Sequence, residues 1–119
     1  MLSEMTYTLD YDGGRQGNVP RGDILPTDKH RLEKEVESKW CAVAKKAGWK
    51  AYKFSSPGNS SVPDRMFIRN GFVFFIEFKR PGGKATPNQL EEHKELRKKG
   101  MIVWVIDYFD KEFAEWVFA

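Results

Sequence analysis

Cysteine is nearly missing: Cys41 stands alone, so no internal disulfide can brace the chain, and a reducing compartment such as the cytosol is the expected location. Long apolar runs are missing too. The longest, Met101 to Ile106, is far too short to cross a bilayer, so no membrane partner is expected. The N-terminus lacks a basic start and an apolar segment, and no secretory signal is visible. Neither repeats nor low-complexity tracts occur. At 119 residues the chain suffices for one domain with one core and not for two. Hydrophobic residues at 40% and charged residues at 31% place it among soluble globular proteins and exclude a disordered one.

Net charge is a modest +3, but it is unevenly spread. Residues 1–30 carry three basic and five acidic groups, whereas the remainder carries 17 basic and 12 acidic ones. A basic body suits a polyanionic partner. Residues 1–27, with Gly13-Gly14, Gly17, Pro20, Gly22 and Pro26 and little apolar periodicity, read as a loosely packed or interface-forming arm. Residues 28–119 read as the folded domain.

Thr27 or Asp28 is the expected cap of a helix running to Ala47, with Gly48 as its stop. Leu32, Val36, Trp40, Val43 and Ala47 give one apolar stripe, and Glu33, Glu37, Cys41 and Ala44 the next one round. Glu37 thus borders the core face while Glu35 points to solvent. Strands are expected at 50–55, 64–69 and 72–79, the last two joined by the Asn70-Gly71 hairpin signal, and the third apolar enough on both faces to be central. Thr86-Pro87-Asn88-Gln89 starts a helix with a capping box, ending near Lys99 and Gly100. A buried strand at 101–107 and a short helix capped by Asp110 and holding Phe113, Trp116 and Val117 complete the order. The fold class is α/β, with a mixed central sheet of about four strands flanked by helices.

The chemistry-bearing feature is Pro63-Asp64 followed across the hairpin by Glu77-Phe78-Lys79. Strand alternation puts Glu77 and Lys79 on one face with Val73 and Phe75, and Phe74, Ile76 and Phe78 on the other. A carboxylate in so apolar a strand needs compensation, since burying an isolated charge costs roughly several kcal/mol. A salt bridge to Lys79 is the plain explanation. Asp64 shifts the balance, because two carboxylates converging near one lysine repel unless a cation holds them, and hard oxygens suit Mg²⁺ or Mn²⁺.

These residues resemble the PD-(D/E)xK nuclease signature, and their context resembles one branch of it, the virus-type replication-repair nuclease domain (VRR-NUC), in its free-standing viral form. The likeness rests on Glu37, Gly48, Lys53-Phe54, Ser56-Pro57-Gly58, Val62-Pro63-Asp64-Arg65, Glu77-Phe78-Lys79, Pro81-Gly82-Gly83, Gln89 and Gly100. It covers about residues 33 to 107, and departs at Ser61, where the family usually has glycine.

The resemblance implies a restriction-endonuclease-like core and metal-dependent cleavage of DNA. Asp64, Glu77 and the Phe78 backbone carbonyl would bind Mg²⁺, with Mn²⁺ substituting, and Glu37 would be an outer or water-mediated ligand. An ammonium flanked by two carboxylates suits an electrostatic and positioning role better than that of a general base, and Lys79 is assigned that role. Glu37 has a plainer reading as a solvated glutamate, Gln89 as a capping residue and Lys53 as a solvated strand residue; each is also a candidate for site support. Arg80, Lys84 and Arg65, with Lys94, Arg97, Lys98 and Lys99 behind them, are candidates for contacts to the DNA backbone. Arg97-Lys98-Lys99 also simply complements a helix dipole.

His30 and His93 lack partners at zinc spacing and read as surface residues; Trp40, Trp49, Trp104 and Trp116 read as core. No small-molecule cofactor is expected. The substrate implied is branched DNA, four-way junctions foremost, and the assembly a homodimer. The alternatives are a non-catalytic DNA-binding module of the same fold and an RNA-processing nuclease.

Overall fold

The computed structural model describes residues 26–119, so the expected arm and its interface role lie, but for its last two positions, outside the described residues. Helix α1 spans Pro26–Lys46. Thr27 and Asp28 lie within this helix, so neither is the expected cap. Asp28 in the first turn and Lys45 and Lys46 in the last complement the helix dipole.

Three antiparallel strands follow: β1 (Lys50–Lys53), β2 (Arg65–Arg69) and β3 (Phe72–Phe78). Asn70 at φ 52° and Gly71 at φ 80° make the tight turn between β2 and β3, a left-handed pair that matches strand twist. Helix α2 (Pro87–Lys98) opens with the expected capping box: Thr86 accepts from the Gln89 N–H, and the Gln89 side chain accepts from the Thr86 N–H. Strand β4 (Ile102–Ile106) then pairs parallel to β3, and α3 (Lys111–Val117), capped by Asp110, ends the chain. The strands are one or two residues shorter at their ends than the sequence pattern suggests, because Asp64 and the segment after Lys53 already turn into the loop that joins β1 to β2.

The sheet order is β1-β2-β3-β4, so β3 is interior, antiparallel to one neighbour and parallel to the other. Helices α1 and α3 cover one face. There Val36, Trp40, Cys41 and Ala44 of α1 pack with Phe67, Phe74, Ile76, Phe78, Trp104, Ile106, Ala114 and Phe118. Trp40 anchors this cluster. Its ring meets Phe109, Phe113 and Phe118 edge-on, and its indole N–H donates to the Tyr108 carbonyl at 2.8 Å, which satisfies the one polar atom the burial would strand. Helix α2 lies on the opposite face, toward which Glu77 and Phe75 point.

Trp116 corrects an expectation. It is 65% exposed. Short α3 turns Ala114 and Val117 inward, and Trp116, three residues from Phe113, stacks on that ring from outside at 6.0 Å. Trp40, Trp49 and Trp104 are core, as expected.

Candidate active site

Asp64 sits where the β1–β2 loop enters β2, and the backbone fixes it twice. Its carbonyl accepts from the Phe54 N–H at 2.9 Å, and its carboxylate accepts from the Phe78 N–H at 2.7 Å. The loop before it is tied down by Asn59, whose side chain accepts from the Ser61 N–H and donates to Glu92 on α2 at 3.0 Å. Ser61 fits without a left-handed backbone, since Asn70 is the one positive-φ non-glycine among the described residues. The β2–β3 hairpin register aligns Arg65 with Ile76, which sets Asp64 beside Glu77.

Glu77 is 2% exposed. Its Oε2 lies 3.5 Å from the Lys79 ammonium and accepts from Gln89 Nε2 at 3.0 Å. Its Oε1 has no hydrogen-bond partner. Burial, and then the Asp64 charge, push the Glu77 carboxyl up to about 8, against the pull of Lys79. Asp64 is raised as well, by burial first and by Glu37 after it, while the Phe78 N–H opposes the rise. Two hard-oxygen groups therefore share a site that penalises both charges, and one buried carboxylate oxygen is left unsatisfied. A divalent cation fits that donor set. Among the described residues no group of three His, Cys, Asp or Glu side chains forms a cage. Such an arrangement is what Mg²⁺ tolerates, because it keeps several waters and takes one or two carboxylates.

Gln89 serves both readings at once: its oxygen closes the capping box and its amide nitrogen holds Glu77. Glu37 is buried and ion-paired, with Oε2 2.6 Å from Arg65 Nε and 3.6 Å from the Lys53 ammonium. Arg65 also donates to the Ala51 carbonyl at 3.2 Å, so its guanidinium is committed within the fold. Glu35, by contrast, is exposed and paired with Arg31 on its own helix. Lys79 is close-packed from behind. A Cβ on Gly83 would stand 3.3 Å from the Lys79 Cβ and 3.1 Å from the Arg80 carbonyl, so a larger residue here would press the 80–83 loop away from Lys79. Asp107 holds the same loop by accepting from the Gly82 N–H at 3.0 Å. Arg80 donates to the Pro81 carbonyl, and Lys84 is exposed at the loop's end.

Two further neighbours adjoin the site, the first of them the nearest rival to Glu37 on its helix and the second missed by the sequence reading. Glu33, one turn before Glu37, has its carboxyl raised by burial and then by Asp64, so it faces the same charge cluster. His93 is the second, and it corrects the surface reading: it is 0% exposed, with Nε2 4.0 Å from Glu77 Oε1. Burial, aided by Arg97 and Lys79, pushes its imidazole down to about 4, so it is neutral. The available signal was its place one turn after Gln89 on the same helix face. His30 is exposed, as expected. Arg97 reaches the Val103 carbonyl at 2.7 Å and braces α2 against β4.

No helix among the described residues is long and apolar enough to cross a membrane. No family model matches the chain. A relative described as "Putative nuclease p44", from Acyrthosiphon pisum secondary endosymbiont phage 1, is 44% identical over 79 residues, spanning 66% of this chain and 85% of that protein. A solved structure described as a VRR_NUC domain is 28% identical, with a TM-score of 0.64 over 72% of this chain and 92% of its own. With its mixed four-stranded sheet and these two likenesses, the chain belongs to the VRR-NUC family of nuclease domains.

Proposed function

We propose that the protein is a Mg²⁺-dependent endonuclease that hydrolyses DNA phosphodiester bonds, with Mn²⁺ able to substitute. The observation that carries this reading is the buried Glu77 carboxylate, which has one unpartnered oxygen and sits with Asp64 and Lys79 at the ends of β2 and β3. A DNA-binding module has no use for carboxylates facing phosphate. Asp64, Glu77 and the Phe78 carbonyl would hold the cation, with Glu37 behind them. When bound, it would neutralise charge on the phosphate and make water a better nucleophile at neutral pH.

The chain's own groups do the rest. Asp64 is fixed by the Phe78 N–H and Glu77 by Gln89, so both carboxylates are oriented before any ligand arrives. Lys79 offers its ammonium to the scissile phosphate and orients the attacking water. Glu37 holds Lys53 at the rim, and Arg80 and Lys84 extend that basic edge toward the DNA backbone.

The substrate we favour is branched DNA, with four-way junctions first, cut by a symmetric homodimer. One small domain has one active site, whereas resolving a junction needs two cuts related by a two-fold axis. The deciding assay offers linear, flapped and four-way DNA with Mg²⁺, Mn²⁺ or EDTA, alongside light scattering at micromolar concentration. Cleavage in EDTA would remove the metal from this reading. A monomer that cuts linear duplex and junction equally well would remove the junction and the dimer.

A further inference from the structure

Helix α2 brings two side chains to Glu77, not one. Gln89 and His93 are four residues apart and project from the same face. Gln89 Nε2 donates to Glu77 Oε2 at 3.0 Å, and His93 Nε2 stands 4.0 Å from Oε1. Oε1 and both imidazole nitrogens are buried, and none has a hydrogen-bond partner. Two unsatisfied polar groups therefore face one another across a gap about 1 Å too long for a hydrogen bond. A neutral imidazole carries one N–H, and Oε1 of the ionised, cation-binding carboxylate can only accept. Buried histidine without a partner is a poor packing residue, since phenylalanine or leucine would fill the space without stranding two nitrogens.

We propose that His93 is a positioning residue for the cation site: with Gln89 it forms a two-point clamp on Glu77, one donor per carboxylate oxygen. This rests on the metal reading above. Carboxylates that hold a metal are themselves hydrogen-bonded from outside, and loss of such a partner weakens metal binding about 10- to 100-fold. Closing the His93 gap as Glu77 turns toward a cation would give Oε1 its missing donor.

The test is Mn²⁺ titration by calorimetry of the full chain, with thermal unfolding in parallel, for wild type, His93→Gln, His93→Phe and His93→Leu. His93→Phe, or His93→Leu should the larger ring not fit, is expected to bind Mn²⁺ about 10-fold more weakly while folding as well as wild type. His93→Gln, which keeps an N–H donor, is expected to stay near wild-type affinity. In cleavage the apolar variants should need more Mn²⁺ for half-maximal rate, yet approach wild-type kcat at saturation. A folded apolar variant with wild-type Mn²⁺ affinity overturns the clamp, as does His93→Gln binding as weakly as the apolar variants. Wild type that binds no Mn²⁺ overturns the metal reading itself, and that failure is visible before any variant is compared.

Discussion

The Asp64 carboxylate accepts a hydrogen bond from the Phe78 N–H at 2.7 Å, and this one contact joins the two halves of the site across the β2–β3 hairpin. It gives Asp64 a structural part beside the cation-binding one proposed for it. Asp64→Asn keeps a side-chain oxygen for Phe78 and removes one of two repelling charges, so it should fold with an unchanged or higher melting midpoint. Asp64→Ala leaves the Phe78 N–H unpaired and should lose about 1–2 kcal/mol relative to Asp64→Asn. Both should abolish cleavage and weaken Mn²⁺ binding. Equal stability of the two variants would mean that the Phe78 contact is incidental.

Lys79 and Glu77 lie on the same face of one strand, with the ammonium 3.5 Å from Oε2. Lys79→Ala and Glu77→Ala should each reduce cleavage by about three orders of magnitude or more, the scale at which transition-state charge stabilisation is lost. Glu77→Ala should also weaken Mn²⁺ binding, and Lys79→Ala should not. A Lys79→Ala enzyme working at wild-type rate would end the role assigned to the ammonium.

Along α1 the three glutamates separate by environment. Glu35 is exposed, Glu37 is buried against Arg65, and Glu33 senses the Asp64 charge. Glu37→Gln should slow cleavage at least 10-fold more than Glu35→Gln, which should leave the rate within two-fold, the usual span for a surface pair worth roughly half a kcal/mol. Glu33→Gln should fall between them. Steady-state rates at fixed Mg²⁺ decide the order, and a larger loss at Glu33 would transfer the outer-ligand role from Glu37 to its neighbour one turn earlier.

Local signals made much of this legible in the sequence. The Asn70-Gly71 turn, the Thr86 capping box and the apolar run from Phe72 to Phe78 each have a short-range cause, and each appears in the structure where expected. Family likeness marked Asp64, Glu77, Lys79 and Gln89, and the hairpin register with the α2 cap brings these four together. What the sequence hid depends on which side of a helix meets which strand. His93 lacks partners at zinc spacing in the sequence, and its burial against Glu77 emerges only when α2 is laid on the sheet. Trp116 failed in the opposite sense: an apolar ring in an apolar stripe implies burial, but a seven-residue helix has too short an inward face to bury it.

Stability should follow pH chiefly through Glu77, whose carboxyl carries the large shift. Its carboxyl is raised to about 8 by burial and by Asp64, above the ordinary 4.5, so the folded state holds a proton that the unfolded chain releases. The associated stabilisation is complete below about pH 4.5 and is lost as pH climbs through about 8. His93 acts oppositely. Lowered from 6.5 to about 4, it makes the unfolded chain the better proton binder in that interval, so its contribution recovers as pH rises from 4 to 6.5. Between about pH 4.5 and 6.5 the Glu77 and His93 slopes oppose one another; above that His93 drops out, and the raised carboxyls, Glu77 with Asp64 and Glu33 beside it, set the slope. The metal-free protein should therefore lose about 2 kcal/mol between about pH 6.5 and 8, on the order of 10 °C in melting midpoint for a domain of this size. In Glu77→Gln that fall should shrink by more than half, and saturating Mg²⁺ should suppress it in the wild type by taking the proton's place on the carboxylate. Thermal unfolding across this range in EDTA is the measurement. A wild-type midpoint that stays level from pH 6.5 to 8 would show that Glu77 is already ionised in the folded, metal-free protein.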